Sequence, residues 1–312
     1  MIDAAKRASL DQIASAVPSL VADGPAAGCR AIDVRVWHGI DLRVLPDRGL
    51  DVGAAWFRGV PLAWLSENGE QPPAPVDDLV GARWGALWPG GLVTTCGLSN
   101  VGAPSGGLGL HGTYSHRRAD EVRIDRTEER VAVTGVVRDE PFRVERRIET
   151  RVGDGVLTVL DHATNESEER VAAPLLYHVN VGAPVWDEGA SLSIEGSVAP
   201  RDAEAAAGLA TWSLPPEPSP DAPERVFEHV LPGPGVSARL TSPRAGVELV
   251  VESTLPRLWQ WVHPASGTYA LGIEPANCSV AGREADLAAG RMPMLGPSET
   301  RTTSLTIRAR YT

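Results

Sequence analysis

The chain has 312 residues, of which 43% are hydrophobic and 22% charged, a balance that suits a folded domain with a sizeable core. Its formal net charge of −11 argues against the basic stripe that displaces counterions from phosphates, so no nucleic-acid partner is expected. No apolar run reaches the roughly 20 residues of a membrane helix, and Asp3, Lys6, Arg7 and Asp11 interrupt any signal-like apolar stretch, so a cytoplasmic location without membrane partners is expected.

Near the start, Leu10, Ile13, Ala14 and Val17 stand at helical spacing just before Pro18, which predicts a short N-terminal helix. From about residue 30 the period becomes two. Residues 31–37, 41–45, 131–137, 157–162, 192–195 and 247–252 read as strands, and the clearest alternation falls in 143–152 and 304–311. In 143–152 the odd positions through Arg151 are charged, while Val144, Ile148, Thr150 and Val152 fill most even ones. Residues 215–234 hold seven prolines and read as an irregular surface excursion. Gly 32 and Pro 26, with strands following strands rather than long helices, favour an all-β fold: one large antiparallel β-sandwich domain over residues 1–312. Cys29, Cys96 and Cys278 are odd in number and widely separated, which fits reduced thiols better than a disulfide framework.

Three segments carry candidate chemistry. His111 lies in Gly109-Leu-His-Gly112, His178 in Leu175-Leu-Tyr-His-Val-Asn180, and Glu274 in Leu271-Gly-Ile-Glu-Pro-Ala-Asn-Cys278. Two histidines and a carboxylate in apolar surroundings make a candidate acid/base site, and ring opening of a cyclic sugar needs two such groups of different proton affinity. Each has a structural alternative: His111 as a turn histidine bonded to backbone, His178 as a satisfied buried histidine, and Glu274 as half of a buried ion pair. Residues 107–112 match the dinucleotide fingerprint G-x-G-x-x-G, but neither a strand before nor a helix after is expected, so the match is read as coincidental. Trp84, Trp88, Trp259 and Trp261 are core residues or a platform for the apolar face of a sugar. Arg48, in Leu45-Pro-Asp-Arg-Gly-Leu-Asp51, is either a surface turn ion pair or a donor to sugar hydroxyls.

In this order and at these separations, the His111, His178 and Glu274 segments resemble the aldose 1-epimerase (galactose mutarotase) superfamily. Together with Gly90-Gly-Leu-Val-Thr-Thr-Cys96-Gly-Leu and the Arg48 motif, they resemble a bacterial branch of it, from about residue 30 to the C-terminus. The resemblance implies a galactose mutarotase-type β-sandwich with a sugar cleft on its concave sheet and neither metal nor organic cofactor. It implies His178 as general acid, Glu274 as general base and His111 as a further active-site histidine. Asn180, Trp259, Arg48, Arg83 and Asn100 are the accompanying candidates for binding a small-molecule sugar. The sequence departs from the family in the single Val179 between His178 and Asn180, and in lacking a clear Asn-Arg substrate motif. Arginines near such a cleft would suit an acidic sugar. Carbon epimerisation or aldose–ketose isomerisation of the opened sugar, sugar binding without turnover, and a metal-dependent isomerase are the competing readings.

Overall fold

Charged residues on alternate positions keep one face of a strand wet while the other enters a core. Residues 143–152 and 304–311 obey this rule in the computed structural model, which describes residues 6–80 and 83–312. Phe142–Arg151 and Thr300–Tyr311 lie in an eight-stranded antiparallel sheet. Its order is Ser191–Ile194, Val236–Ser242, Val247–Ser253, Thr300–Tyr311, Val156–Asn165, Phe142–Arg151, Arg130–Asp139, Ala119–Arg126. Val144, Ile148 and Thr150 are buried, whereas Glu145 and Arg151 face solvent.

A larger, eleven-stranded antiparallel sheet packs against it. Its main path runs Ala14–Leu20, Arg30–Val36, Ile40–Leu45, Asp51–Phe57, Val93–Gly97, Leu175–Val181, Ala270–Ala276, Arg257–His263, Arg225–Val230, Ser197–Pro200. Every residue of Leu175–Val181 and Ala270–Ala276 is buried because both faces of these strands are covered. Tyr177, Val179, Leu271 and Ile273 enter the main core between the sheets. Leu176, Trp259, Trp261 and Ala276 point the other way and join Trp64, Trp84 and Trp88 in a second apolar cluster. The candidate side chains His178 and Glu274 lie on this second face.

Arg146 stands at a core-facing position of its strand and is buried between the sheets. Its Nε and Nη2 donate to Asp161 at 2.8 and 2.7 Å, and its Nη1 donates to Asp51 at 2.8 Å. The Tyr177 hydroxyl donates to the same Asp161 at 2.7 Å. Burial raises the Asp51 carboxyl to about 6 against the pull of Arg146. The Asp51 end of the Arg48 motif therefore serves this network.

Two expectations are corrected. The helix predicted over residues 10–17 does not form: Leu10–Gln12 make one 3-10 turn capped by Ser9, and Ala14–Leu20 is an edge strand running antiparallel to Arg30–Val36. The helical spacing was short, and so brief a helix has little stability without packing. Pro18 has no N–H to offer a neighbour and is tolerated on an edge strand. Residues 215–234 are not wholly an excursion, since Arg225–Val230 is a strand paired with both Arg257–His263 and Ser197–Pro200. No helix among the described residues is long and apolar enough to cross a membrane, and the three cysteines are buried free thiols.

Candidate active site

Period-two alternation places Thr94, His178, Gly272, Glu274, Trp259 and Trp261 on the outward face of four adjacent strands, and register decides which of them meet. Thr94 stands opposite His178, and Trp261 opposite Gly272. Val179 opposite Ile273 sets His178 beside Glu274. His178 Nε2 lies 3.2 Å from Glu274 Oε1, without the alignment of a hydrogen bond. His178 Nδ1 and Glu274 Oε1 are buried and have no hydrogen-bond partner. A buried polar atom left unpaired costs stability, and both residues line the same cavity.

Gly272 makes the pair possible. A Cβ at that position would stand 2.7 Å from Glu274 Oε1, 3.0 Å from His178 Cε1 and 3.1 Å from the Trp261 Cβ. A glycine inside a strand often marks such a close approach.

His111 arrives from the loop after Val93–Gly97, in a left-handed conformation with φ of 57°. Its Nδ1 accepts from the Gly102 N–H at 3.3 Å, and its own N–H donates to the Gly102 carbonyl at 3.1 Å. The Asn100 side chain braces this loop, donating to the carbonyls of Ala103 and Gly109 at 2.9 Å each and accepting from the Arg283 N–H at 2.9 Å. The His111 and His178 rings meet edge to face with centroids 5.7 Å apart.

Indoles enclose these groups. Trp84 is 4.9 Å from His111, Trp88 is 4.9 Å from His178, and Trp261 is 5.4 Å from His178, centroid to centroid. Thr94 Oγ1 fixes Trp88 by accepting its Nε1–H at 2.9 Å. Glu224 Oε2 accepts the Trp261 Nε1–H at 2.8 Å, while Glu224 Oε1 lies 3.0 Å from Arg201 Nη2. Together these residues line a cavity of about 510 Å³, within the range of small-molecule sites.

Burial sets the protonation of the site. It pushes the Glu274 carboxyl up to about 8, with Glu224 adding to the rise and Arg201 opposing it. Burial holds His178 well below the usual imidazole range, His111 adding to the depression, and lowers His111 to about 4. At neutral pH the site therefore holds two uncharged imidazoles and a largely protonated carboxyl.

His111, His178 and Glu274 are thus brought to one cavity, whereas the other five candidates do not line it. Arg48 is buried, its Nη1 donating to His116 Nδ1 at 2.9 Å and to the Pro72 carbonyl at 3.2 Å, and burial lowers it to about 10. Asn180 donates to the Gly91 carbonyl at 2.8 Å, in the loop before Val93–Gly97, and to the His178 carbonyl of its own strand at 3.0 Å. Trp259 donates to the Cys278 carbonyl at 3.1 Å. Arg83 is exposed, 3.6 Å from Asp78, and Asn100 is the loop brace. Sequence reasoning missed Arg201, Glu224, Gly272 and Thr94, and of these only Gly272 carried a local signal. Residues 107–112 form turns followed by the 3-10 turn Tyr114–His116, not a phosphate-binding strand–helix junction. Among the described residues no group of three or more His, Cys, Asp or Glu has metal-site geometry.

With its two packed antiparallel sheets, the chain has the fold of the galactose mutarotase-like proteins. A Klebsiella pneumoniae protein provisionally named an aldose 1-epimerase superposes with a TM-score of 0.84 at 18% identity, covering 96% of this chain and 88% of that one. A galactose mutarotase-like protein of Clostridium acetobutylicum gives 0.62 at 13% identity, over 96% of this chain and 100% of its own. Galactose 1-epimerase of Lactobacillus acidophilus gives 0.61 at 14% identity, over 96% and 99%. The chain belongs to the family described as Domain of unknown function (DUF4432), which matches residues 26–309. No curated protein matches the sequence.

Proposed function

We propose that this protein is an isomerase of the aldose 1-epimerase type, opening and reclosing the ring of a free monosaccharide so that its anomers interconvert. The observation that carries the proposal is the His178–Glu274 pair, 3.2 Å apart, with polar atoms left unpartnered in an indole-walled cavity. The aldose 1-epimerase and mutarotase names of proteins sharing the fold support it.

Ring opening removes the proton of the anomeric hydroxyl and delivers one to the ring oxygen; rotation of the aldehyde and reclosure reverse both transfers. The site must therefore begin with one vacant proton acceptor and one transferable proton. Burial favours the form in which Glu274 holds that proton and His178 is neutral. The form with Glu274 as base and His178 as acid differs from it by moving one proton across the 3.2 Å gap. Both forms have the same total charge, so the sugar's own hydrogen bonds select between them and the pair titrates as a unit. His111 hydrogen-bonds the sugar beside them, and Trp84, Trp88 and Trp261 pack against its C–H surface.

The pH dependence follows from this proton count. Glu274 has a raised pKa, so the pair keeps its transferable proton below about 8 and loses it as pH climbs through that value. His178 has a depressed pKa, so it stays a vacant acceptor well below the usual imidazole range. Polarimetry on a freshly dissolved single anomer, with the spontaneous rate subtracted at each pH, is expected to show kcat/KM level from mildly acidic to neutral pH. Above about 8 it should fall, approaching tenfold per pH unit. No acceleration with any monosaccharide would reject the function, and a decline already complete by pH 7 would reject this proton assignment.

A further inference from the structure

Among the described residues lining the cavity, three carry a buried polar atom without a hydrogen-bond partner: His178 at Nδ1, Glu274 at Oε1 and Trp84 at Nε1. The proposed reaction uses the first two residues and leaves the third over. Of the three indoles that line the cavity, Trp88 donates its N–H to Thr94 and Trp261 donates to Glu224, whereas Trp84, only 1% exposed, donates to nothing. A buried N–H without a partner forfeits the hydrogen bond it made to water in the unfolded chain. A sugar hydroxyl in the cavity is an acceptor that would restore it.

The neighbours of Trp84 restrict which hydroxyl that is. Trp84 stands on the short helix Arg83–Ala86, its ring centroid 4.9 Å from that of His111 and 5.5 Å from that of Trp88. Those two rings in turn adjoin His178. Trp84 is thus one ring removed from the His178–Glu274 pair, which places its partner on a carbon other than the anomeric one. His111 accepts the Gly102 N–H at Nδ1, so its uncharged ring carries its own proton on Nε2. Trp84 and His111 therefore carry two donors on neighbouring rings, a combination suited to a hydroxyl oxygen with its two lone pairs. Arg201 and Glu224 add polar groups elsewhere on the wall. They pair with each other at 3.0 Å and their side chains are 37% and 45% exposed, so water reaches them without a ligand.

We infer that Trp84 is a substrate-binding residue whose indole N–H donates to a sugar hydroxyl away from C1, so that the site selects sugars bearing a hydroxyl at that position. The inference rests on the isomerase reading above and adds a specificity-determining residue to it.

Two replacements test it. Trp84→Phe removes the N–H with part of the ring system, and 3-benzothienylalanine introduced at the same position exchanges only the N–H for sulfur. The probes are D-glucose, D-galactose and D-mannose with their single-position deoxy analogues at C2, C3, C4 and C6. Binding is read by titration calorimetry, which needs no turnover, and anomer interconversion separately by polarimetry. For the sugar that wild-type protein binds best, Kd should rise roughly 3- to 10-fold in both variants, with KM rising and kcat nearly unchanged. One deoxy analogue should bind wild-type protein more weakly by a similar factor and lose nothing further in the variants. The benzothienyl variant should melt no lower than wild type, because the N–H it lacks has no partner in the folded chain. Unchanged Kd for every parent sugar in that variant, a further loss shared by all the deoxy analogues, or melting lowered by several degrees would overturn the inference, even with mutarotation confirmed. Binding that weakens as expected without any mutarotation by wild-type protein would uphold it and overturn the isomerase reading. Absence of binding by every sugar would overturn both.

Discussion

Replacing Glu274 by Gln is expected to lower kcat for anomer interconversion by about 10²–10⁴ while leaving the fold intact and somewhat more heat-resistant. Gln keeps the shape of the side chain but can neither release nor accept the transferable proton. The stability effect has the opposite sign for a physical reason. In the folded protein burial holds the carboxyl protonated up to about 8, whereas in the unfolded chain it ionises near the ordinary glutamate value. A folded pKa raised in this way gives stability that is fully present below the unfolded pKa and is lost as pH rises towards the folded one. Wild-type protein thus loses stability between about pH 4 and pH 8 through this group; the Gln variant does not. At pH 7 the variant should melt roughly a few degrees higher, and the gap should close near pH 4. Full activity in the variant would remove Glu274 from the chemistry, and a lower melting temperature at pH 7 would contradict its burial as an uncharged group.

Gly272→Ala should separate geometry from stability. Gly272 has no left-handed backbone, so alanine is compatible with the strand, and the loss of unfolded-state freedom partly offsets any crowding. The added methyl falls 2.7 Å from Glu274 Oε1, a flexible carboxylate end that can swing aside. Moving that oxygen disturbs the 3.2 Å approach to His178 on which the proposed proton transfer depends. A displacement near 1 Å costs up to about 10² in rate, so kcat/KM should drop by roughly 10- to 100-fold with melting within a few degrees of wild type. Polarimetry beside thermal denaturation reads both. Unchanged kcat/KM would mean that the close approach does not matter for catalysis.

Legibility in the sequence followed solvent exposure. Phe142–Arg151 and Thr300–Tyr311 were readable because one face of each is wet and the other enters the core. Leu175–Val181 gave no alternation, being buried on both faces, yet its apolar run made His178 conspicuous. Glu274 stood out likewise, as a lone carboxylate within an otherwise uncharged buried strand. The N-terminal segment misled because four apolar residues at helical spacing were too few to outweigh strand pairing with Arg30–Val36. Trp259 and Trp261 share a face, and tertiary detail separates them: the Cys278 carbonyl holds the first, while Glu224 holds the second against the cavity. Arg201 and Glu224 meet only through the pairing of Arg225–Val230 with its neighbours, including a contact between the Arg201 N–H and the Val226 carbonyl. No local pattern encodes that meeting. Arg48 was singled out by its motif, but its partners are His116 and Pro72 in distant loops.

The central claim is that His178 and Glu274 act as one proton-transferring pair on a sugar ring. Magnetisation transfer between the anomeric proton resonances of a sugar at equilibrium tests it most directly, recorded with wild-type protein, with Glu274→Gln and with no protein, over one panel of neutral and acidic monosaccharides. The account predicts anomer exchange accelerated by wild-type protein, a return to near the spontaneous rate with the variant, and no new sugar signals over hours. Exchange equally fast with wild type and Glu274→Gln, or no faster than the protein-free sample for any sugar, would contradict it.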